Sequence, residues 1–357
     1  MQNLEGFFPA LSNCTYLDTP AVGLVPKTVW EFKNQQNKRL WEKGSRYFNE
    51  ITDMDAAVRE KIGEVYRAQP GRVALFPAFS YGLNALLEGL MPSSKVLLLK
   101  GDYPSINWSV EARDFVISYA VLDQNVEARV RDAFKKQQPD VFLFSIVQYL
   151  NGIKMDPAFL REMKKEFPDT LFIGDGTQYL GTEPFDFQNS GMDIVGASAY
   201  KWMGAGFGNG FFMFKPGVEE RVVPKHLGYG SVVGKYKEEE DNFIGKFEGN
   251  HLNMADIGAI KIGLEFQEKV GLEKVHQQIR SISQKVKLAL EDINVLEPAV
   301  TQRKIHSNIF NIKGDDRLFY KLQSQGIACS QRGEGIRVGF HYYNTDADLQ
   351  KLLSLIS

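Results

Sequence analysis

Asp193-Ile-Val-Gly-Ala-Ser-Ala-Tyr-Lys-Trp-Met-Gly-Ala-Gly-Phe-Gly-Asn-Gly210 is the most telling stretch of this 357-residue chain. An apolar run ends in Ser198, Lys201 follows three residues later, and a glycine-rich turn leads into a second apolar run. An ammonium at such a strand-to-loop junction, with little other charge nearby, is either held beside an anion or used chemically. Burial lowers a lysine's pKa, and the neutral amine is the form that condenses with an aldehyde. Upstream, Asp175-Gly-Thr-Gln178 closes the apolar run Thr170-Leu-Phe-Ile-Gly. A carboxylate at a strand end suits the partner of a pyridinium nitrogen.

Around these two segments, short apolar runs alternate with amphipathic stretches. Strands are expected at 73–76, 95–100, 115–119, 141–147, 171–175, 193–197 and 210–214, with helices at 80–90, 126–137 and 157–166 among them. Continuous apolar strands with helices between them indicate a mainly parallel seven-stranded sheet covered on both faces, an α/β fold. Ligands of such sheets gather at the carboxyl ends of the strands, where Asp175 and Lys201 both fall. After residue 250 the pattern changes to long helices at 255–270 and 272–293, broken at Gly271. Short apolar stretches at 306–312, 326–330 and 336–340 follow, and a last helix begins near 345. The expected division is a large cofactor-binding domain, 15–250, and a smaller α/β domain made of 1–14 and 251–357. The charged run at 235–241 reads as a solvated loop.

Composition narrows the function. Hydrophobic residues make up 43% and charged residues 24%, the mix of a soluble globular protein. A formal net charge of -2 indicates neither a nucleic-acid footprint nor a polybasic membrane surface. Two cysteines, Cys14 and Cys329, fit a reducing compartment, and no leader-like start or membrane-length apolar run is evident. A cytoplasmic protein is expected.

Phe76-Pro-Ala-Phe-Ser-Tyr-Gly-Leu-Asn84 joins a strand to a helix, with Ser80 expected at the N-cap. A helix N-terminus favours a phosphate, and the hydroxyl adds a donor. Taken singly, each of these residues has an ordinary reading. Ser80 is a cap, Lys201 a surface lysine, Asp175 a turn residue and Arg337 an edge-strand arginine. Their joint spacing overturns those readings.

That spacing, Asp175, Gln178, Gly181, Asp186, Asp193, Ser198 and Lys201, resembles the class V aminotransferase family of fold-type I pyridoxal-phosphate enzymes. Cysteine desulfurases, kynureninases and isopenicillin N epimerase-like proteins are among its members. The likeness extends from Tyr16-Leu-Asp-Thr-Pro20 to the 337–345 segment. It implies pyridoxal 5'-phosphate (PLP) as cofactor, Lys201 as its Schiff-base residue and Asp175 as the partner of its ring nitrogen. Gln178 then lies near the phenolic oxygen, while Ser198, Phe79 and Ser80 hold the phosphate. Tyr103 takes the place of a ring-stacking residue, with Trp108 a weaker candidate. Gln148 and Tyr149 replace a pair found in relatives. Tyr200 stands where most relatives carry His, and its hydroxyl is positioned to donate to the phosphate. Asn250, in Phe247-Glu-Gly-Asn-His251, matches the segment that reaches a neighbouring subunit's phosphate, which implies a homodimer with shared active sites. Arg337 matches the fork that binds a substrate α-carboxylate, and Arg332 is placed to assist it or to bind a side-chain acid.

Desulfuration needs a cysteine thiolate on a mobile loop. Cys329 falls in the apolar stretch Gly326-Ile-Ala-Cys-Ser330, and Cys14 matches no catalytic position, so cysteine desulfurase is disfavoured. The expectation is an aminotransferase acting on a small amino acid through an external aldimine. The rivals are an isopenicillin N epimerase-like or lyase-type enzyme, and a non-catalytic binding protein of the same fold.

Overall fold

A computed structural model describes residues 4–51, 53–228, 231, 242–249 and 251–356. Both Asn250 and the charged run at 235–241 lie outside the described residues. The strands are β1 (Thr15–Tyr16), β2 (Val73–Phe76), β3 (Lys95–Lys100), β4 (Val116–Val121), β5 (Val141–Ser145), β6 (Leu171–Asp175), β7 (Ile194–Ser198), β8 (Gly210–Phe214), β9 (Ile309–Lys313), β10 (Ile327–Ala328), β11 (Ser330–Arg332) and β12 (Gly335–Gly339). The helices are α1 (Lys27–Lys43), α2 (Ser45–Glu50), α3 (Met54–Tyr66), α4 (Phe79–Glu88), α5 (Pro104–Glu111), α6 (Val126–Gln137), α7 (Pro157–Glu166), α8 (Met254–Val270), α9 (Leu272–Asp292), α10 (Pro298–Thr301), α11 (Asp316–Ser324) and α12 (Asp346–Ile356).

Seven strands form one sheet in the order β2-β8-β7-β6-β5-β3-β4. β3 through β7 pair in parallel, while β8 lies antiparallel between β2 and β7. Every residue of β2, β5, β6, β7 and β8 is buried, so both faces of the sheet are covered. That two-sided burial is why these segments read as unbroken apolar runs. Asp193 ties β6 to its flank. Its carboxylate accepts from the Phe172 N–H at 2.8 Å and pairs with Lys164 at 2.7 Å. The motif aspartate at 193 is thus a scaffold residue.

A second, three-stranded sheet runs β11-β12-β9, all antiparallel. β1 pairs in parallel with β10, and Asp18 forms a bridge to Gly339. The start of the chain is therefore hydrogen-bonded to the C-terminal unit, and α8 packs on α1 and α3. The boundaries expected at 14/15 and 250/251 do not follow this pairing, because β1 and α8 each side with the opposite half of the molecule. Gly271, at φ 101°, separates α8 from α9.

The large structural surprise is the N-terminal third. α1, α2 and α3 fill 27–66, where no element was expected. α1 buries only Val29 and Gln36, so its sequence carries little apolar periodicity to read. Ser80 is a second departure: α4 starts at Phe79 after Ala78, which puts Ser80 inside the first turn instead of at the cap.

Candidate active site

The carboxyl ends of β2, β3, β5, β6 and β7 converge on one side of the large sheet. A cavity of about 80 Å³ lies there, lined by residues that follow each of those strands. Phe79 and Ser80 come from β2–α4, Tyr103 from the turn after β3, and Tyr149 from the loop after β5. Asp175 and Gln178 come from the end of β6, and Ser198, Tyr200 and Lys201 from the end of β7. The sheet thus brings together eight of the predicted residues across a span of 123 positions in sequence.

Lys201 is 7% exposed, and its Nζ has no ion-pair or hydrogen-bond partner among the described residues. The amine sits 5.9 Å from the Tyr103 ring centroid and 5.6 Å from that of Tyr200. Burial drives its pKa well below the ordinary lysine range, Asp175 pulling it back and Arg337 and Arg332 adding to the fall. Burial also pushes the Asp175 carboxyl up, against a hydrogen bond from Thr177 and the charge of Lys201. The Thr177 N–H donates to its Oδ1 at 2.8 Å. The backbone that carries Lys201 is held from the other side of the chain. The Gly23 N–H donates to Tyr200 O at 2.9 Å, and a Cβ on Gly23 would fall 1.7 Å from Lys201 O.

Ser198 Oγ accepts the Phe79 N–H at 2.9 Å, and Ser80 Oγ bonds Ser105 Oγ at 2.9 Å. Two serines therefore stand at the first turn of α4, where helix geometry leaves N–H groups without internal acceptors. Gln178 is more constrained than expected: its Oε1 accepts from Trp202 Nε1 and its Nε2 donates to Pro20 O, both at 2.9 Å. That leaves one amide hydrogen for a ligand. Gln148 does not border the cavity. Its amide donates to Gly101 O at 3.1 Å and accepts from the Leu150 N–H at 2.6 Å, which shapes the loop that carries Tyr149. Trp108 is exposed and also stays outside the lining.

Arg337 lies on β12, 3% exposed, outside the cavity lining but close enough to lower the Lys201 pKa. It donates to Tyr149 O at 2.9 Å and Ser330 Oγ at 3.3 Å, with Asp18 at 3.9 Å. Its Nε is buried without a partner. Ser330 is the register partner of Arg337, and Arg332 follows two residues on along β11, on the same face. Arg332 itself is exposed.

Sequence reading missed two acids here. Asp102 is buried, accepting from the Tyr103 N–H at 2.7 Å and the Ser145 N–H at 2.8 Å, and it fixes the β3 and β5 ends relative to each other. Asp18 accepts from Ser330 Oγ at 2.8 Å, and burial raises its pKa. Only its place within Tyr16-Leu-Asp-Thr-Pro20, already part of the resemblance, marked it.

The donor set fits PLP. A buried amine without a partner suits an aldehyde, a carboxyl forced up by burial is restored as an anion by a facing pyridinium, and a helix start flanked by serines suits a phosphate. Fold and site together define a PLP-dependent enzyme of fold-type I. The family model for aminotransferase class-V matches residues 15–352, and the chain belongs to that family. A probable cysteine desulfurase of Ureaplasma parvum serovar 3 is 22% identical, with 100% of this chain and 97% of the relative covered. An uncharacterized aminotransferase of Bacillus subtilis, YcbU, is 20% identical over 98% of this chain and 95% of its own. Among solved structures, the cystine C-S lyase C-DES in complex with its reaction product cysteine persulfide has a TM-score of 0.86. It is 20% identical, with 97% of this chain and 98% of that one covered. The apo cysteine desulfurase from Thermococcus onnurineus NA1 also has a TM-score of 0.86, at 15% identity and with 99% and 96% covered. At such identities the structural likeness speaks for the fold alone.

Proposed function

We propose that the enzyme acts on a small amino acid, with Lys201 as the covalent and proton-transferring residue, and that its reaction is transamination. The observation that carries this reading is the buried, unpartnered Lys201 amine facing the same cavity as Asp175. Bound PLP supplies an electron sink that stabilises negative charge at the substrate Cα. Asp175 keeps a proton at the ring nitrogen. Ser198, Ser80 and the first turn of α4 hold the phosphate, with Tyr200 as a further donor. Arg337 takes the substrate α-carboxylate in a fork, and Lys201, neutral because it is buried, removes the Cα proton. Tyr103 and Tyr149, 5.3 Å apart in an edge-on pair, bound the cavity and favour a small side chain.

A lyase reading stands second. The cystine C-S lyase among the structural neighbours is an example of carbon–sulfur chemistry on this fold. Cysteine-dependent desulfuration is less well supported. Cys329 is buried and its thiol is pushed up to about 12 by burial, while the Cys14 thiol is also raised by burial. Both shifts run against the thiolate that desulfuration needs.

A homodimer is part of the proposal. Tyr81, Trp108 and Phe207 are 68%, 68% and 61% exposed, next to site residues: Tyr81 follows Ser80, and the Phe207 ring lies 4.9 Å from that of Tyr200. A second copy would cover these rings and complete the mouth of the site. No helix among the described residues is long and apolar enough to cross a membrane. A cytoplasmic location fits the cysteine usage.

The test is spectroscopic. Purified protein is expected to show a visible PLP band that borohydride bleaches and that Lys201→Ala removes. A panel of amino acids is then expected to convert the band to that of the pyridoxamine form. Release of pyruvate and ammonia would select the lyase reading, and a protein that never takes up PLP would end the enzyme proposal. Light scattering at the mass of one chain would reject the dimer.

A further inference from the structure

Asp18 Oδ1 lies 3.9 Å from Arg337 Nη2, beyond a hydrogen bond but well within reach of its charge. The two residues belong to one piece of the fold. Asp18 bridges Gly339 at the end of β12, the Gly339 N–H donates to Leu17 O at 2.7 Å, and Arg337 lies two residues back on that strand. Ser330 stands between them. Its hydroxyl donates to Asp18 Oδ1 at 2.8 Å and accepts from Arg337 Nη2 at 3.3 Å. The same N-terminal segment touches the cofactor site, because Pro20 O accepts from Gln178 Nε2 at 2.9 Å.

Asp18 does not aim the guanidinium. Tyr149 O and Ser330 Oγ do that, and the remaining N–H groups, the buried Nε among them, have no acceptor among the described residues. Its effect on Arg337 is one of charge. The Arg337 side chain is 3% exposed, and a cation so buried is costly unless an anion faces it. Asp18, 22% exposed, is that anion. The Ser330 hydroxyl and the charges of Arg337, Arg332 and Lys201 favour its ionised form against burial. Arg337 is thus partly neutralised while its donors stay uncommitted.

We propose that Asp18 is the resident counter-ion of Arg337 and sets how tightly the site holds a carboxylate, stabilising the empty site and opposing the incoming anion. This rests on Arg337 being the α-carboxylate fork. Two anions then share one cation. By linkage, a charge that stabilises the empty protein through Arg337 weakens the hold on a ligand that uses the same group. Substrate and product carboxylates are accordingly gripped loosely enough to leave.

Asp18→Asn tests this, since it keeps the size and the acceptor for Ser330 and removes only the charge. Glycine and glycinamide serve as probes, titrated into PLP-loaded protein and followed by the cofactor band; the second lacks the carboxylate. The variant is expected to bind glycine about tenfold more tightly than wild type, as for one unit charge acting across several ångströms at an effective dielectric of about 20. Glycinamide affinity is expected to change by less than about twofold. Without ligand the variant is expected to melt below wild type. A merely structural role would instead lower stability and glycine affinity together. Asp18→Ser, also uncharged, is expected to tighten glycine likewise, which covers a poorly folding Asn variant. Glycine affinity unchanged or weakened in both variants overturns the proposal, as does equal tightening of glycinamide. Arg337→Gln separates the two readings: if it leaves glycine binding intact, the fork itself is wrong, whereas loss of binding there with no effect at Asp18 rejects the counter-ion alone.

Discussion

Lys201 shows what a buried functional group costs. Its ammonium is removed from water with no compensating partner among the described residues, and burial therefore lowers its pKa. In the unfolded chain the group titrates near about 10.4. Between the folded and unfolded values the unfolded state binds more protons, so stability falls as pH drops through that window and the full penalty is present below it. In the apoprotein, Lys201→Met is accordingly expected to raise the melting temperature at pH 7.5 by about 2–4 °C, while abolishing the visible cofactor band. A melting temperature below wild type in that scan would contradict the account. Arg337 makes a complementary case. Its guanidinium is oriented by Tyr149 O and Ser330 Oγ, and lysine cannot reproduce that fork. Arg337→Lys is expected to lower kcat/KM by about 10- to 100-fold, mainly through KM, on the amino acid that wild type turns over.

At the scale of elements, legibility followed burial. β5 and β6 are wholly buried, and α6 and α7 carry apolar stripes, so their sequences show one period each and their positions were read within two residues. α1 is amphipathic only weakly and carries exposed Trp30 and Trp41, so its pattern does not resolve into a face. The Gly23 turn is an element-level contact that sequence hides. It presses on the Lys201 backbone from nearly 180 residues away, at a distance where a methyl group cannot fit. Gly23→Ala is expected to destabilise the fold by about 1–3 kcal/mol, as overpacking does, and to weaken PLP binding because the Lys201 turn shifts. Denaturant titration and the cofactor band check both parts, and an unchanged midpoint would refute the crowding.

The whole molecule is joined across its halves by polar contacts around Trp202. Its indole N–H donates to Gln178, and its carbonyl accepts from Gln267 Nε2 at 2.6 Å and from His341 Nε2 at 3.1 Å. His341 is buried, and burial pushes its pKa down to about 3. An unfolded histidine titrates near about 6.5. Between pH 6.5 and 3 the unfolded chain therefore binds the extra proton, so stability is lost as pH falls through that window. Melting curves taken from pH 7 to 4 are expected to show this loss, and His341→Gln, which keeps an N–H donor but cannot titrate, to flatten it. An identical acid slope in the variant would remove His341 as the cause.

The sequence by itself determined the parallel sheet, the lysine and aspartate at its carboxyl edge, and the cofactor class. Each of these is written in local periodicity or in spacing along one continuous stretch. Tertiary structure alone decided that Gln148 shapes a loop instead of the cavity wall, that Ser80 lies past the cap, and that β1 belongs with the C-terminal strands. It also decided that Asp18 and Asp102 guard the site. The physical reason is common to all of them: hydrogen-bond partners and burial depend on what arrives from distant parts of the chain, and no local pattern encodes that.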